Sequence, residues 1–323
     1  MSKMKLKIGD LELKSIVALA PMAGITDTAF RQIIRNLSPN CLLVTEMLSS
    51  EALMWNKEQS IAYREDFEEP IAYQIVGHKP ELMAKAAQKI EKSANIIDIN
   101  MGCPVNKIVK SKDGSGLMKD PSLAYDIVQA VKETVNKPIS VKFRLGWDAN
   151  SKNYIKFGEY MQDAGASLIT MHARTRTQMY SGKADWDALK ELKNAVDIPV
   201  FANGDITSVE KAIECKELTN CDGLMIGRGI LGNPDLIKRI EHYFETGEIL
   251  PEPTLKEKIE TLKQHIEKEI FYRTEYHAMK FMRKFYAHYI KGIKNAAATR
   301  DVLVTKEELP EIIKILDKIA ENG

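Results

Sequence analysis

Eight short runs rich in apolar and β-branched residues recur along the chain: "SIVALA", "CLLVTEM", "PIAYQIVG", "NIIDIN", "PISVKF", "SLITMH", "IPVFAN" and "DGLMIG". Stretches with helical spacing separate them. In "KPELMAKAAQKIEKS" and "PSLAYDIVQAVKETV" the apolar residues fall at i, i+3, i+4 and i+7, one face of a helix. Alternation of this kind predicts βα units around a parallel sheet, and eight units predict an α/β fold closed as a (β/α)8 TIM barrel. Near residue 246 the pattern changes: "TGEILPEPT" supplies a glycine and two prolines, and only helical spacing follows. The expected organisation is a barrel domain over 1–246 and a C-terminal all-helical domain over 253–323. "KIGDLEL" reads as a hairpin plugging the other end of the barrel.

The chain has 323 residues, 44% of them apolar, enough for one large core and a smaller domain. No apolar run approaches the roughly 20 residues of a membrane span, and "MSKMKLKIGD" lacks the apolar core of a signal peptide. A cytoplasmic monomer with no membrane partner is expected. Lys and Arg number 46 against 45 Asp and Glu, a net charge of +1, so any basic surface has to be local. The four cysteines form no C-x-x-C pair and no cysteine–histidine cluster at zinc spacing, so no metal is expected.

Parallel strands buried on both faces should be apolar throughout. Here they end in polar residues: Pro21-Met22-Ala23-Gly24, Glu46, Gln74, Asn100 with Cys103, Lys142 with Arg144, His172 with Arg174, Asn203-Gly204-Asp205, and Gly227-Arg228-Gly229. In a barrel these ends share one rim, where such folds carry their chemistry. The last two loops, "NGDITS" and "GRGILGNPD", join glycines to Arg228 and a helix start, a pattern that favours a phosphate over a mere tight turn. Lys142, between Val141 and Phe143, is expected to face the barrel mouth, where a buried ammonium needs a partner. Gln74 and His172 would join it in offering donors to an electron-rich planar ring. The combination reads as a cradle for flavin mononucleotide (FMN).

The runs "IDINMGCPVNK", "APMAGITD", "HARTRTQMYSGKADW" and "FANGDI" resemble the dihydrouridine synthases, flavin enzymes that reduce uridine in RNA, and more narrowly their bacterial B-type subfamily. The resemblance spans the barrel and reaches into the helical part. It implies flavin contacts at Pro21, Met22, Ala23, Gln74, Lys142, His172, Asn203, Gly204, Asp205, Gly227 and Arg228, and a catalytic cysteine at Cys103. Reduction of the C5–C6 bond of uracil needs a proton at C5 as well as a hydride at C6. A thiol with an ordinary pKa near ~8.5 is protonated at neutral pH yet close enough to it to transfer a proton. A general acid is therefore expected at Cys103, with a nucleophile as the rival reading. The loop after it, "NKIVKSKDGSG", reads equally as a lid or as a solvated surface loop.

Residues 276–300, "YHAMKFMRKFYAHYIKGIKNAAATR", contain six Lys or Arg and no acid. Read as one helix, they place His277, Lys280, Lys284, His288 and Lys291 on one face, with Arg283 and Lys294 beside it, and Phe281, Met282, Phe285, Tyr289 and Ile293 opposite. Solvated helix faces usually interleave acids. A local acid-free stripe fits a nucleic-acid backbone, and the resemblance implies that the helical domain holds tRNA. Asn100, Arg144, Arg174 and Arg176 are the rim candidates for the target uracil and nearby phosphates. No G-x-G-x-x-G fingerprint follows a strand, so the reductant, NADPH or NADH, is expected to bind transiently at the same mouth. The alternatives are a flavin-dependent reductase of free pyrimidines or enones, and a non-catalytic RNA-binding protein.

Overall fold

The computed structural model describes residues 5–55, 57 and 62–321. Eleven strands lie among them: β1 Leu6–Ile8, β2 Leu11–Leu13, β3 Val17–Leu19, β4 Leu43–Val44, β5 Leu48–Ser49, β6 Ile71–Val76, β7 Ile96–Met101, β8 Ile139–Arg144, β9 Leu168–His172, β10 Val200–Asn203 and β11 Gly223–Ile226. From β3 onward all pairings are parallel, in the order β3-β11-β10-β9-β8-β7-β6-β4. A parallel bridge between Ala18 and Leu42 joins the two ends, with Leu19 N–H donating to Leu42 O at 2.8 Å. The sheet thus closes as the expected barrel.

One expected strand is interrupted. "CLLVTEM" yields only β4, and the chain pairs with β6 again at β5. Between them Glu46 leaves the ladder, and its carboxylate accepts the N–H of Gly24 across the rim.

The wall helices are α1 Thr28–Leu37, α2 Ser50–Met54, α3 Pro80–Ile90, α4 Asn106–Lys110, α5 Pro121–Thr134, α6 Tyr154–Asp163, α7 Trp186–Ala195, α8 Val209–Thr219 and α9 Leu236–Thr246. Local chemistry starts them. Asp27 caps α1 by accepting from Phe30 N–H, and Asp120 caps α5 with Pro121 at its first position. Four further helices follow: α10 Leu255–Tyr272, opened by a Thr254–Glu257 capping box, α11 Glu275–Tyr289, α12 Ala296–Leu303 and α13 Leu309–Glu321. They pack on the barrel through α1, where Phe30 meets His265 at 5.1 Å and Phe285 at 5.9 Å. Residues 276–300 are therefore not one helix. The segment breaks after Tyr289, and Gly292 (φ 93°) and Asn295 (φ 60°) take left-handed conformations before α12 begins. Lys291 and Lys294 consequently leave the face that carries Lys280 and Lys284.

Period-two alternation divides each barrel strand between two cores. Ile97, Ile99, Val141, Ile169 and Ala202 face the helices. Ala18, Val44, Ala72, Ile96, Leu168 and Phe201 face inward and fill the lower lumen, together with Ile8 and Leu13 of the β1–β2 hairpin. An added Cβ at Gly9, in the hairpin turn, would meet Pro138 and Ser167, which precede β8 and β9. That places the hairpin as a stopper at the amino-terminal end, and among the described residues the lumen opens at the carboxyl ends of the strands. Ile8 is fully buried there. Ile8→Ala is expected to lower the unfolding free energy by about 3 kcal/mol in urea melts, the usual cost of emptying such a site.

Candidate active site

The upper lumen holds the inward positions that are not apolar. Register sets Gln74 beside Asp98, Asn100 beside Lys142, Arg144 beside His172, and His172 beside Asn203. Above them opens a cleft of about 630 Å³ at the carboxyl ends of the strands. Its lining includes Pro21, Met22, Ala23, Gln74, Lys142, His172, Asn203, Gly204, Asp205, Gly227 and Arg228, and with them Asn100, Cys103 and Arg144. Fourteen residues scattered over more than 200 positions of sequence share one cleft.

The electrostatics are one-sided. Lys142 donates to Asn203 Oδ1 at 3.0 Å, and burial pushes its ammonium down to about 8, helped by Arg144 and opposed by Asp98. Arg144 donates to the carbonyls of Gly102 (2.8 Å), Thr175 (3.1 Å) and Met179 (2.8 Å), neutral acceptors that leave its charge uncompensated. Burial lowers His172 far below its ordinary value, and Arg144, Lys142, Arg174 and Arg228 add to the effect, so the imidazole is neutral. Arg228 lies over the half-exposed ring of Tyr180, 4.8 Å from its centroid. Gly227 presents bare backbone to the cleft; an added Cβ would stand 3.7 Å from Ala20 Cβ and 3.9 Å from Asn203 Nδ2. Amides, a buried ammonium, an arginine and glycine backbone form a donor set suited to a planar, electron-rich, phosphorylated ligand.

Cys103 stands on the turn that ends β7. Asn100 Oδ1 accepts the N–H groups of Gly102 (3.1 Å) and Cys103 (2.9 Å), and Ser115 donates through both N–H (3.1 Å) and hydroxyl (2.9 Å) to Cys103 O. Burial raises the thiol above its ordinary value, outweighing the Val105 N–H and the cations Arg144 and Lys142, so it keeps its proton at neutral pH. The other three cysteines are fully buried and free. The segment after Cys103 folds as α4 and a 3-10 turn over Gly114–Lys119, tied down by His78 Nδ1 and Asp113 Oδ1 at 2.8 Å.

Other candidates stand elsewhere. Arg174 is 1% exposed: it donates to Ser181 O, Gly182 O and both oxygens of Asp205 (2.8 Å each). Its guanidinium holds the 175–183 loop against the loop that follows β10 and is not offered at the mouth. Arg176 donates to Asn106 Oδ1 and covers Trp147, 4.6 Å from the ring centroid. On α11, Lys280 is exposed but donates to Tyr276, Arg283 pairs with Glu307 at 3.1 Å, and Lys284 lies 3.2 Å over the Phe281 ring while donating to Gly24 O. Lys291 is exposed beyond the helix end. Arg273, just ahead of α11, donates to Asp27 at 2.8 Å. The helical part thus grips the Pro21–Asp27 loop at two points.

Tyr180 lines the cleft and Asp98 sits just beneath it; neither was singled out from sequence. For Asp98 the signal was present: a carboxylate at an inward strand position in "IIDIN" cannot be buried without partners.

An eight-stranded parallel barrel with a cation-lined cleft and a protonated thiol at the carboxyl ends of its strands defines the class, a TIM-barrel enzyme with its site at the strand carboxyl ends. The family model described as "Dihydrouridine synthase (Dus)" matches residues 18–321. "Probable tRNA-dihydrouridine synthase 1" of Synechocystis sp. is 42% identical over 315 residues, 97% of this chain and 88% of that protein. "Probable tRNA-dihydrouridine synthase" of Rickettsia conorii is 40% identical, covering 95% of this chain and 96% of its own. "tRNA-dihydrouridine synthase B" of Pseudomonas putida is 43% identical over 263 residues, 80% of this chain and 78% of that one. The chain belongs to the dihydrouridine synthase family.

Lys142 has a folded value near 8 and an ordinary one of 10.5. Between those values the unfolded chain binds the extra proton, so this group's contribution to native stability rises with pH over that window, and its full penalty is present below it. Lys142→Met is therefore expected to gain most at pH 7 and least near pH 10.5, a difference of order 3 kcal/mol. Denaturant melts of both proteins at the two pH values read it; a gap independent of pH would be the contrary result.

Proposed function

We propose that the protein is a tRNA-dihydrouridine synthase that uses FMN and NADPH or NADH to reduce the C5–C6 bond of uridines in tRNA. The observation that carries the reading is the placement of Cys103: a thiol kept protonated by burial lines the same cleft as the donors suited to a flavin.

FMN, when bound and reduced, would supply the hydride for uracil C6. Lys142, steadied by Asn203, would place positive charge beside the ring, with Gln74 and neutral His172 as further hydrogen-bonding groups. Pro21, Met22 and Ala23 would flank it, while the backbone of Gly204 and Gly227 with the Arg228 guanidinium would receive the phosphate end, Asp205 standing beside them with its carboxylate held by Arg174. Cys103 gives its proton to C5. Its raised pKa suits an acid that must hold a proton at neutral pH, and disfavours a nucleophile, which needs the thiolate. Arg144 and Asn100 frame the approach of the base, although Asn100 already spends its amide on Gln74 and on the Cys103 turn.

In this reading residues 1–246 bind the flavin and perform the chemistry, and 253–323 hold the RNA. The exposed side of α11, with Lys280 and Lys284 partly engaged and Arg283 paired, supplies one phosphate-facing wall, and Lys291 extends it at a different angle. The uridine leaves its stack to reach the cleft, at a cost of a few kcal/mol that is least in a loop. Reduced nicotinamide occupies the mouth before the RNA does. A monomer in the cytoplasm suffices; no helix among the described residues is long and apolar enough to cross a membrane.

Cys103→Ala is expected to retain flavin absorption bands and their bleaching by NADPH or NADH, while dihydrouridine formation in folded tRNA falls ~10²- to 10⁴-fold. Full turnover by the variant would refute the acid assignment. Equal turnover of free uridine and tRNA by the parent protein would refute the substrate.

A further inference from the structure

The buried carboxylate of Asp98 takes no part in the roles assigned above. It lies one layer below the cleft, 2% exposed, in register with Gln74 on one side and Ser140 on the other. Both of its oxygens accept: Oδ1 from Ser140 Oγ at 2.5 Å and Oδ2 from Gln74 Nε2 at 2.6 Å. The other end of Gln74 continues upward, where Oε1 accepts from Asn100 Nδ2 at 2.7 Å. Asn100 Oδ1 then accepts the N–H groups of Gly102 and Cys103. A continuous relay runs from the carboxylate to the turn that carries the thiol.

The two ends of a carboxamide have the same shape, so its neighbours decide which end donates. Burial raises the pKa of the Asp98 carboxyl while the Ser140 and Gln74 donors lower it; with both of its oxygens accepting, it offers Gln74 no donor. It makes Gln74 direct its nitrogen downward and its oxygen upward, Asn100 must answer that oxygen with its nitrogen, and the Asn100 oxygen is left for two backbone N–H groups. Reversing any member alone sets like against like in a dry lumen, where an unmade hydrogen bond is expensive. We propose that Asp98 is a positioning residue that fixes the donor–acceptor sense of the Gln74–Asn100 relay and thereby holds the turn on which Cys103 stands. The importance of Cys103 rests on the function proposed above; the relay does not, being a property of the folded chain.

Polarity reversal tests it. Asn100→Asp places an acceptor at each end of Gln74, so one end is mismatched whichever way the amide turns. Adding Asp98→Asn supplies a donor from below: Gln74 turns over, its oxygen accepts from the new amide at position 98, its nitrogen donates to the new carboxylate at position 100, and the Ser140 hydroxyl retains an acceptor. Hydrogen exchange at the Gly102 and Cys103 amides and the melting temperature of the full chain are the readouts. Asn100→Asp is expected to raise exchange at those amides about tenfold and to lower the melting temperature, as an unmade buried hydrogen bond should. The double substitution should return exchange to within about twofold of the parent, and Asp98→Asn alone should stay within about twofold because Ser140 can reverse its hydroxyl. A double variant no better protected than Asn100→Asp, or an unchanged Asn100→Asp, overturns the proposal. If Asn100→Asp does not fold, recovery of folded protein in the double variant supports the relay, and failure to recover overturns it. Turnover enters none of these readouts, so a wrong reading of the reaction would leave the result standing.

Discussion

Burial of positive charge without matching carboxylates is the constraint around which the barrel mouth is arranged. Lys142 has an amide oxygen for a partner and Arg144 has three backbone carbonyls. Neutral dipoles moderate a buried cation but do not neutralise it. Carboxylates around the rim are committed elsewhere: Asp205 to Arg174, Asp98 to Ser140 and Gln74, Glu46 to the Gly24 N–H. The unmet potential is directed into the cleft. Burial keeps His172 unprotonated and this potential adds to the effect; the same potential favours anionic or electron-rich ligands. A ligand of that kind would offset part of the cost of burying these cations.

The same field clarifies the state of Cys103. Cations nearby would ordinarily draw a thiol toward thiolate, yet desolvation outweighs them and the proton stays. The balance is local to this turn, which is held from one side by Asn100 and from the other by Ser115. A thiol on a looser, wetter loop would lose that balance. Geometry and acidity are therefore two aspects of one packing arrangement.

The barrel was legible in the sequence because parallel strands covered on both faces print as unbroken apolar runs, and a polar residue at an inward position stands out against them. Lys142 between Val141 and Phe143 showed which way it points, and Gln74, His172 and Asn203 followed the same parity. Long-range partnership was not legible. Nothing local to "HARTR" says that Arg174 meets Asp205, 31 positions away, or that Glu46 interrupts its strand to cap Gly24. The break after Tyr289 had a local signal in Gly292 and Asn295, which a count of charges along one helical wheel passed over. Asn100 shows a subtler limit: its place on the rim could be read, but the commitment of both ends of its amide depends on neighbours from another strand and from its own turn.

Lys284 and Arg273 cross from the helical segment to grip the loop of residues 21–27, one at a backbone carbonyl and the other at the carboxylate that starts α1. The segment is therefore no detachable accessory. In this chain a change at either handhold would reach the loop as well as the helices, which ties one half of the molecule to the other. A graft between family members would succeed or fail at this seam, well away from the reacting atoms.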